Sequence, residues 1–508
     1  MRTKEKAMLI ILDGWGVRKS RSYNAIKQAK TPNFDRYWKE NPHTTLHASQ
    51  QYVGLPRGFI GNSEVGHTHL GAGRLVPQEL LKINRSIKDG TFFKNKVLVK
   101  AMDNATQNGK ALHLMGLLSD GGVHSHIDHL FALLEMAKKH KVAKVYVHCF
   151  LDGRDKPPQS APKYIRQLQR KMKQLGIGSI ATMMGRFYAM DRDNRWNREH
   201  RAYDAMANHK GRVYETPLEA IKDAYSRGET DEFVKPSIIL SKKLKRKRYV
   251  QKGDSVIFYN FREDRAREIT RAFVQGKFQK FKRRKLMDLH FVCLTQYDRG
   301  IKAPVALPPE VPPQVIGEVM WRNKIKQLRV AETEKFAHVT YFFNGGREGP
   351  FVGEDRILIP SPHVRTYDTK PEMSAYKITA AVLPKLRQGK HDLVVLNFAN
   401  ADMVGHTGML SPTIKAVNAV DECLGKVVET ARSSGYNVLI TADHGNAEEM
   451  KGKHQTSHTM NKVPFIAITN KKYSVAQRKG DSIAQLAPTL LKLMGVKDPK
   501  VYFESLVR

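Results

Sequence analysis

The sequence predicts an α/β fold in which most strands are parallel. Short apolar runs rich in β-branched residues alternate with amphipathic helical stretches along the 508-residue chain. These runs show no inside–outside alternation, so we expect them to be strands buried on both faces of a sheet. The predicted strands are Ala7–Leu12, Lys144–Leu151, Ser255–Phe261, Leu393–Phe398 and Asn437–Thr441.

The helical stretches have an apolar face and defined ends. After Ser160, apolar residues recur at helical spacing, at Ile165, Leu168, Met172 and Leu175. Gly176 follows as a C-terminal stop. The clearest linker is Pro304–Pro313, where five prolines in ten residues exclude a helix or a central strand. An earlier break is expected near Arg74–Gln78.

Composition excludes several classes of protein. Apolar residues make up 41% of the chain, enough for sizeable cores. No apolar run approaches the roughly 20 residues needed to cross a bilayer, so no membrane partner is expected. Ala7–Leu12 is too short for the core of a signal peptide. The scattered Cys149, Cys293 and Cys423 argue against a disulfide framework or a zinc ribbon, and we expect a cytoplasmic location.

The charge is strongly basic. There are 86 Lys and Arg residues against 49 Asp and Glu residues, a net charge of +37. Lys242–Arg248 carries six basic residues in seven, and Lys277–Lys285 carries six in nine. Such clusters can bind polyanions or can be solvated loops. We favour solvated loops, because neither cluster lies in a recognisable nucleic-acid module and aromatic residues between the charges are sparse.

Acidic residues follow three of the predicted strands. Asp13 comes directly after Ala7–Leu12, Asp402 lies just beyond Leu393–Phe398, and Asp443 lies just beyond Asn437–Thr441. In open α/β sheets, ligands bind beyond the carboxyl ends of the strands. We therefore expect these three carboxylates to converge on one site.

Histidines close to these carboxylates indicate metal binding. Asp402 and His406 are four residues apart, so a helical turn would place both on one face. The adjacent Asp443 and His444 should point in different directions, which by spacing alone suits two metal ions.

Two more histidines, His454 and His458, are again four residues apart. Oxygen and nitrogen ligands together fit Mn²⁺ or Zn²⁺ better than Ca²⁺. Taken singly, each of these acidic residues and histidines could equally be a hydrogen-bonded loop residue.

A serine between glycines is a candidate nucleophile. Ser63 lies in the segment GNSEVGH, residues 61–67. A tight turn would expose its hydroxyl, and metal coordination would activate that hydroxyl for attack on phosphorus. The segment alone fits a turn serine or a helix N-cap at least as well.

Six motifs together identify a family. In order along the chain they are DGWG at 13–16, GNSEVGH at 61–67, SDGGVHSH at 119–126, DGRD at 152–155, ADMVGH at 401–406 and ADHGN at 442–446. The set resembles cofactor-independent phosphoglycerate mutase, a member of the alkaline phosphatase superfamily, from about residue 7 to the C-terminus. The resemblance implies interconversion of 3- and 2-phosphoglycerate through a phosphoserine, with two Mn²⁺ or other divalent ions and without 2,3-bisphosphoglycerate.

The resemblance also assigns the metal ligands. The phosphorylated residue is Ser63. One Mn²⁺ is assigned to four residues, Asp13, Ser63, Asp443 and His444. The second is assigned to three, Asp402, His406 and His458. His454 then becomes a neighbour of the site and not a ligand.

The middle of the chain matches the family's substrate-binding positions. These are His124, Arg154, Asp155, Arg186, Arg192, Arg262, Arg265 and, further on, Lys335. Forked guanidinium groups suit a phosphate and a carboxylate. Asp155 is implied to move a proton on and off the substrate hydroxyls. Lys335 is implied to offset charge near the phosphoryl group, and Arg262 and Arg265 can face one anion if their turn is helical.

The order of these residues implies a discontinuous first domain. It comprises residues 1–77 and 311–508, an alkaline-phosphatase-like metal-binding domain with a mostly parallel sheet. Residues 78–310 form an inserted α/β domain that binds substrate. A hinge at the two chain crossings would let a cleft close and exclude water, which competes as phosphoryl acceptor. We expect a monomer.

Other functions fit parts of the pattern. A metal-dependent phosphatase or a phosphopentomutase of the same superfamily would share the metal ligands, but the arginine-rich insert with DGRD and REDR favours the mutase. The chain departs from the family in its basic charge, in Arg57 where an acidic residue is usual, and in an additional His69. None of these departures removes a candidate catalytic residue.

A nucleic-acid-binding role for the basic clusters makes a distinct prediction. Binding through many phosphate contacts weakens steeply as salt rises. We expect filter-binding titrations with RNA and DNA to show no salt-sensitive affinity. A strong salt-dependent affinity would instead support nucleic-acid binding as the main function.

Overall fold

Strands and helices alternate along the chain in the structure, a computed structural model that describes residues 5–240, 248–286, 288–452 and 455–508. The chain divides into two compact units. The first unit is Met1–Gln78 with Val311–Arg508, and the second is Glu79–Glu310. Within the described ranges, no helix is both long enough and apolar enough to cross a membrane.

The strands, in chain order, are β1 Lys6–Leu12, β2 His43–Leu46, β3 Leu112–Leu117, β4 Val145–Leu151, β5 Ser179–Gly185, β6 Arg212–Tyr214, β7 Ser237–Ile239, β8 Ser255–Phe258, β9 His290–Thr295, β10 Val305–Leu307, β11 Gln327–Glu332, β12 Glu354–Ile359, β13 Leu393–Phe398, β14 Tyr436–Thr441 and β15 Val463–Ile468.

The α-helices, in chain order, are α1 Ala25–Gln28, α2 Pro32–Glu40, α3 Ser63–Ala72, α4 Glu79–Lys88, α5 Lys96–Gln107, α6 Ile127–Lys139, α7 Ala161–Leu175, α8 Arg186–Ala189, α9 Trp196–Ala207, α10 Pro217–Ser226, α11 Arg267–Val274, α12 Ile316–Arg322, α13 Thr333–Ala337, α14 Ala375–Gln388, α15 Asn400–Gly405, α16 Leu410–Ser433 and α17 Leu486–Leu493.

The sheet of the first unit is built around β1. Over the residues that the structure describes, its strand order is β12-β11-β13-β1-β14-β15-β2. β1 pairs in parallel with β13 on one side and β14 on the other, with Leu12 opposite Phe398 and Ile11 opposite Thr441. Ala7–Leu12 is completely buried. The expectation of a strand buried on both faces is confirmed, since successive side chains of a strand point to opposite faces and all six are buried.

The sheet of the second unit is also mostly parallel. In the described part of the chain its order is β10-β9-β8-β3-β4-β5-β7-β6, and only β5 and β7 pair antiparallel. The helix expected after Ser160 is α7, which ends at Gly176 with φ of 65°. The predicted α/β class with mostly parallel sheets is therefore confirmed.

Two details differ from or refine the sequence prediction. The strand expected at Ser255–Phe261 ends at Phe258, because the next residues turn towards the chain around α6, where the Phe261 N–H donates to the His124 carbonyl at 2.8 Å. Within the proline-rich segment, Val305–Leu307 forms a strand at the edge of its sheet. Proline is tolerated there, since an edge strand leaves one side unpaired.

The basic clusters are described only in part. Residues 242–247 lie outside the described residues. Lys277–Lys285 contains neither helix nor strand, and its Lys and Arg side chains make no ion pair with a described carboxylate. Arg283 and Arg284 instead donate to the backbone carbonyls of Ala272 and Val250 at 2.5 and 2.6 Å.

A close backbone contact fixes α3 in the first unit. α13 continues into a π-helical turn at His338–Phe342, and α3 packs against it. A Cβ added at Gly71 of α3 would lie 1.9 Å from the carbonyl oxygen of Phe343. Only glycine allows this approach.

Gly71→Ala should therefore lower the melting temperature. An open helical position gains up to about 1 kcal/mol from this change, whereas here the added methyl group must displace backbone, at a cost of about 1–3 kcal/mol. Thermal unfolding followed by circular dichroism measures the difference. Gly349→Ala is the control, because a Cβ there has no heavy atom within 4 Å. Equal melting temperatures for the two variants would contradict this account of the contact.

Candidate active site

Three carboxylates lie at the carboxyl edge of the first unit's sheet. Asp13 directly follows β1, Asp443 lies two residues after β14, and Asp402 lies on α15, which follows β13. Their exposed fractions are 0%, 0% and 2%. The parallel pairing of β13, β1 and β14 explains why these side chains meet, since all three strands end at one edge.

One ammonium group lies among these carboxylates. The Nζ atom of Lys335, on α13, is 2.7 Å from both Asp13 Oδ1 and Asp402 Oδ2. Burial alone would lower the pKa of Lys335, but the charges of Asp13, Asp402 and Asp443 outweigh it and raise that pKa. Lys335 is therefore charged at neutral pH and lies at the centre of the cluster.

The hydroxyl of Ser63 faces the same ammonium group. Ser63 is the first residue of α3, and the helix is capped by Asn62, whose Oδ1 accepts from the Val65 N–H at 2.9 Å. The predicted role of Ser63 as a possible N-cap is thus wrong. Its Oγ lies 2.7 Å from Lys335 Nζ and 2.9 Å from His444 Nε2.

Two groups of side chains have ligand spacing. Asp13, Asp443 and His444 form one, and Asp402, His406 and His458 form the other. Within each group the candidate ligand atoms lie within 4.8 Å of one another. His454 lies outside the described residues.

The prediction that Asp443 and His444 would serve different metal ions, which was made from their adjacency in the chain, is wrong. Although adjacent in the chain, they belong to one group, with Asp443 Oδ2 3.4 Å from His444 Nε2. The helical turn expected after β13 is present as α15, and it brings Asp402 Oδ1 to 3.2 Å from His406 Nε2.

The hydrogen bonds of His406 and His458 make the second group suitable for a cation. The Nδ1 atom of each lies 2.9 Å from a backbone carbonyl, that of Thr456 for His406 and that of Gly61 for His458. A carbonyl only accepts, so in the neutral form of each ring Nδ1 carries the hydrogen and Nε2 offers a lone pair. The two Nε2 atoms nevertheless lie 3.0 Å apart, each 3.2 Å from Asp402 Oδ1. Three electron-pair donors therefore converge, which fits a bound metal ion.

The charges of the first group lead to the same conclusion. Burial and the nearby Asp443 carboxylate raise the pKa of Asp13 to about 7, although Lys335 opposes them. Asp443 Oδ2 is buried, and although His67 Nδ1 lies 3.3 Å and His444 Nε2 3.4 Å away, it forms no hydrogen bond with a described residue. Buried, incompletely paired carboxylates are costly unless a cation compensates them, and the carboxylate and imidazole donors present suit a divalent transition ion.

Sequence reasoning missed three polar residues that support this site. Asn397 donates to Asp13 Oδ2 at 2.8 Å, and Asn446 donates to Asp402 Oδ1 at 2.9 Å. His67 Nδ1 lies 2.9 Å from the Ser63 carbonyl. Asn397 could have been found as the polar residue inside an otherwise apolar strand, and the other two lie inside the quoted motifs.

The additional His69 has a structural role. It is completely buried on α3, where its Nδ1 donates to the Val65 carbonyl at 2.8 Å and its Nε2 accepts from the Val76 N–H at 3.0 Å. Burial lowers the pKa of His69 to about 4, so the ring is neutral.

In the second unit, Arg186 organises one half of the predicted substrate-binding set. Arg186 begins α8 directly after β5, and its Nη1 lies 2.6 Å from Asp155 Oδ2 and 2.9 Å from Asp152 Oδ1. Asp152 also accepts from the N–H groups of Arg154 and Asp155, at 3.2 and 2.9 Å. The buried Asp152, which the sequence reasoning did not single out, thus fixes the DGRD turn.

Asp264 organises the other half. Its carboxylate lies 3.1 Å from Arg192 Nη1, 3.2 Å from Arg262 Nε and 3.6 Å from His124 Nδ1. Burial and the charge of Arg186 lower the pKa of His124 to about 3. Asp264 lies within the quoted REDR segment, but nothing in the spacing shows that it pairs with these three residues.

Two arginines of the set point elsewhere. Arg265 Nη1 donates to the Met190 carbonyl at 3.0 Å, and Arg154 Nη1 lies 3.5 Å from Glu232. The segment from Arg262 to Arg265 is a turn, and α11 begins only at Arg267. Burial and the charges of Arg192, Arg186 and Arg154 lower the pKa of Arg265.

The chain is similar to known proteins over almost its whole length. It is 53% identical over 496 residues to the 2,3-bisphosphoglycerate-independent phosphoglycerate mutase of Moorella thermoacetica, covering 97% of this chain and 96% of the relative. It is 52% identical over 502 residues to the protein of the same name from Clostridium perfringens strain 13, covering 98% of both. The chain belongs to this phosphoglycerate mutase family. The resemblance inferred from the motifs is confirmed.

Family models and a solved structure agree with this membership. The model of the BPG-independent PGAM N-terminus matches residues 83–299, and that of type I phosphodiesterase / nucleotide pyrophosphatase matches residues 273–492. A crystal structure of Leishmania mexicana phosphoglycerate mutase at low cobalt concentration is 32% identical, with a TM-score of 0.75. It covers 99% of this chain and 98% of its own. The fold of the mutase family therefore extends over the whole chain.

Lys335→Met should destabilise the protein strongly when no metal is present. The change leaves Asp13 and Asp402 buried without their shared cation, and breaking a buried pair costs roughly 3–5 kcal/mol. Chelator-treated protein should show this loss in thermal unfolding, and added Mn²⁺ should reduce it by supplying positive charge. Lys415→Met, on the exposed face of α16, serves as control. If both variants unfold at the same temperature, Lys335 does not hold the cluster together.

Proposed function

We propose that this chain is an isomerase that interconverts 3-phosphoglycerate and 2-phosphoglycerate through a phosphoserine at Ser63, without 2,3-bisphosphoglycerate. Membership of the family supports the mutase activity. The observation that carries the role of Ser63 is the convergence of Lys335 Nζ and His444 Nε2 on its hydroxyl, at 2.7 and 2.9 Å. A buried serine between a cation and an imidazole is arranged as a nucleophile.

Two divalent ions complete the proposed site, and Mn²⁺ is our choice for both. The first would be held by Asp13, Asp443 and His444 with the Ser63 hydroxyl, and the second by Asp402, His406 and His458. When bound, such ions lower the pKa of the serine hydroxyl and offset the charge of the phosphoryl oxygens.

In the first transfer, Ser63 Oγ attacks the phosphorus of 3-phosphoglycerate as the alkoxide, its proton having gone to solvent, and it leaves as the alkoxide again in the second transfer. The Oγ–P bond forms while the bond between phosphorus and the 3-oxygen of glycerate breaks. Lys335 lies within hydrogen-bond distance of Oγ and can donate to a phosphoryl oxygen as charge develops on it. Ser63 also stands at the N-terminus of α3, where the helix dipole favours an anion.

In the second transfer, the glycerate 2-hydroxyl attacks the phosphoserine. The O2–P bond forms, the Oγ–P bond breaks, and Ser63 is restored. Asp155 is the proposed proton carrier: it protonates the departing 3-oxygen in the first step and takes the proton of the 2-hydroxyl in the second. One oxygen of Asp155 is held by Arg186 at 2.6 Å, which fixes the carboxylate.

The second unit supplies the groups that bind the substrate's anions. The set comprises His124, Arg154, Arg186, Arg192, Arg262 and Arg265. Their guanidinium forks match a carboxylate or a phosphate bidentately. Retention of glycerate between the two transfers is what distinguishes a mutase from a phosphatase, so the number of arginines supports isomerisation over hydrolysis. We further propose a cytoplasmic monomer.

A coupled assay with purified protein tests this function. Conversion of 3- to 2-phosphoglycerate should proceed without added 2,3-bisphosphoglycerate, stop when a chelator removes divalent ions, and return with Mn²⁺. Ser63→Ala should lower kcat by on the order of a thousandfold or more, because it removes the hydroxyl that lies between Lys335 and His444 and would carry the phosphoryl group.

Ser433→Ala provides the matched control. Ser433 is an exposed serine at the end of α16 in the same unit, and its removal should leave activity unchanged. Full activity of Ser63→Ala would disprove the phosphoserine mechanism. A strict requirement for 2,3-bisphosphoglycerate would disprove the cofactor-independent route.

A further inference from the structure

A completely buried carboxylate, Glu448, contacts three loops of the candidate active site. Its Oε2 accepts from the backbone N–H of Gly16 at 3.1 Å and of Asn446 at 2.8 Å. Its Oε1 accepts from the Asn461 side chain at 3.0 Å and from the Thr459 hydroxyl. Neither the sequence motifs nor the reaction steps above assign Glu448 a role.

Hydrogen-bond donors fill the acceptor positions of the Glu448 carboxylate. A carboxylate has about four acceptor positions on its two oxygens, and four donors occupy them here. None of the Lys, Arg or His side chains that the structure describes forms an ion pair with it. The two oxygens of Glu448 are therefore satisfied by hydrogen bonds from the loops, and an amide at this position would turn its own N–H groups towards two of these donors.

Each of the three loops carries proposed metal ligands. Gly16 lies three residues after Asp13, Asn446 lies two residues after His444, and Thr459 directly follows His458. The contacts thus extend to both ligand groups. The Thr459 N–H also donates to the Gly445 carbonyl at 3.0 Å, which ties the second and third loops together.

Two motif glycines are required by the position of this carboxylate. A Cβ added at Gly16 would lie 2.2 Å from Glu448 Cδ, and one added at Gly445 would lie 2.4 Å from Glu448 Oε1. Because Gly16 and Gly445 have no side chain, the backbone can approach Glu448 closely enough for the N–H groups of Gly16 and Asn446 to donate to it.

We propose that Glu448 is a positioning residue that sets the two ligand groups relative to each other by holding the loops of Asp13, His444 and His458 on one anchor. The inference rests on the proposed metal dependence. Residues that orient metal ligands typically contribute roughly 10- to 100-fold to metal affinity or activity.

Glu448→Gln tests the proposal with no change in size. Mn²⁺ binding to chelator-treated protein, measured by isothermal titration calorimetry, should weaken roughly 10- to 100-fold. The Mn²⁺ concentration that half-activates the enzyme should rise in parallel, while KM for 3-phosphoglycerate at saturating metal stays near the wild-type value, because the proposed substrate-binding arginines belong to the other unit.

Glu449→Gln is the matched control. It removes the same charge from the next residue, whose side chain accepts from Asn461 at 3.0 Å but contacts neither Gly16 nor Asn446. Metal affinity should be unchanged in this variant. If Glu448→Gln folds poorly, Thr459→Val offers a milder change, since it removes one of the four donors to Glu448 at nearly constant volume. This variant should also weaken Mn²⁺ binding, but by a smaller factor.

The outcomes separate this inference from the proposed function. Wild-type affinity for Mn²⁺ in both Glu448→Gln and Thr459→Val overturns the positioning role and leaves the function intact. A lower melting temperature in metal-free Glu448→Gln with unchanged Mn²⁺ affinity also overturns it, because the residue would then serve the fold alone. If the wild-type chain itself binds no divalent ion, the metal-dependent mechanism fails first.

Discussion

Three parallel strands that end together bring three buried carboxylates to a single ammonium group. Asp13, Asp402 and Asp443 follow β1, β13 and β14, and the Lys335 ammonium lies 2.7 Å from two of them. Like charges buried this closely repel each other strongly in a medium of low dielectric. The fold can hold them only with compensating positive charge, and Lys335 supplies one unit of it. The proposed divalent ions supply the remainder.

This crowding explains why the sequence around the site is rich in glycine. A Cβ at Gly14 would lie 2.7 Å from the Asp402 Cα, and one at Gly66 would lie 2.7 Å from the Asp443 carbonyl oxygen. Side chains are excluded because the loops that carry the acidic residues cross at backbone contact. The carboxylate cluster can thus pack only if these motif positions are glycine. Gly16 and Gly445 are needed for the same reason, because a side chain there would collide with Glu448.

Much of the fold could be predicted from the sequence, because the relevant signals are local. The buried strands at β1, β13 and β14 are continuous apolar runs, and α7 shows both its periodicity and its glycine stop. The family could be recognised because six motifs occur in order.

The finer geometry of the site depends on contacts between residues hundreds of positions apart. Although Asp443 and His444 are adjacent in the chain, they belong to one ligand group with Asp13, and the loop that follows them is bound to the loop after β1 through the Gly14 carbonyl. The capping role of Asn62 and the anchoring role of Glu448 likewise require the tertiary structure. The β8 strand was predicted three residues too long, since the turn after Phe258 follows from hydrogen bonds to a distant loop.

The interrupted first unit has a consequence for synthesis on the ribosome. β1 is complete by residue 12, but both of its sheet neighbours, β13 and β14, lie beyond residue 392. At translation rates of about 5–20 residues per second, that apolar strand remains without partners for roughly 20–80 s. The second unit contains all strands of its own sheet in one continuous segment, so it can complete that sheet first. Because of this topology, the apolar residues 7–12 must be kept from aggregating until their partner strands have been synthesised.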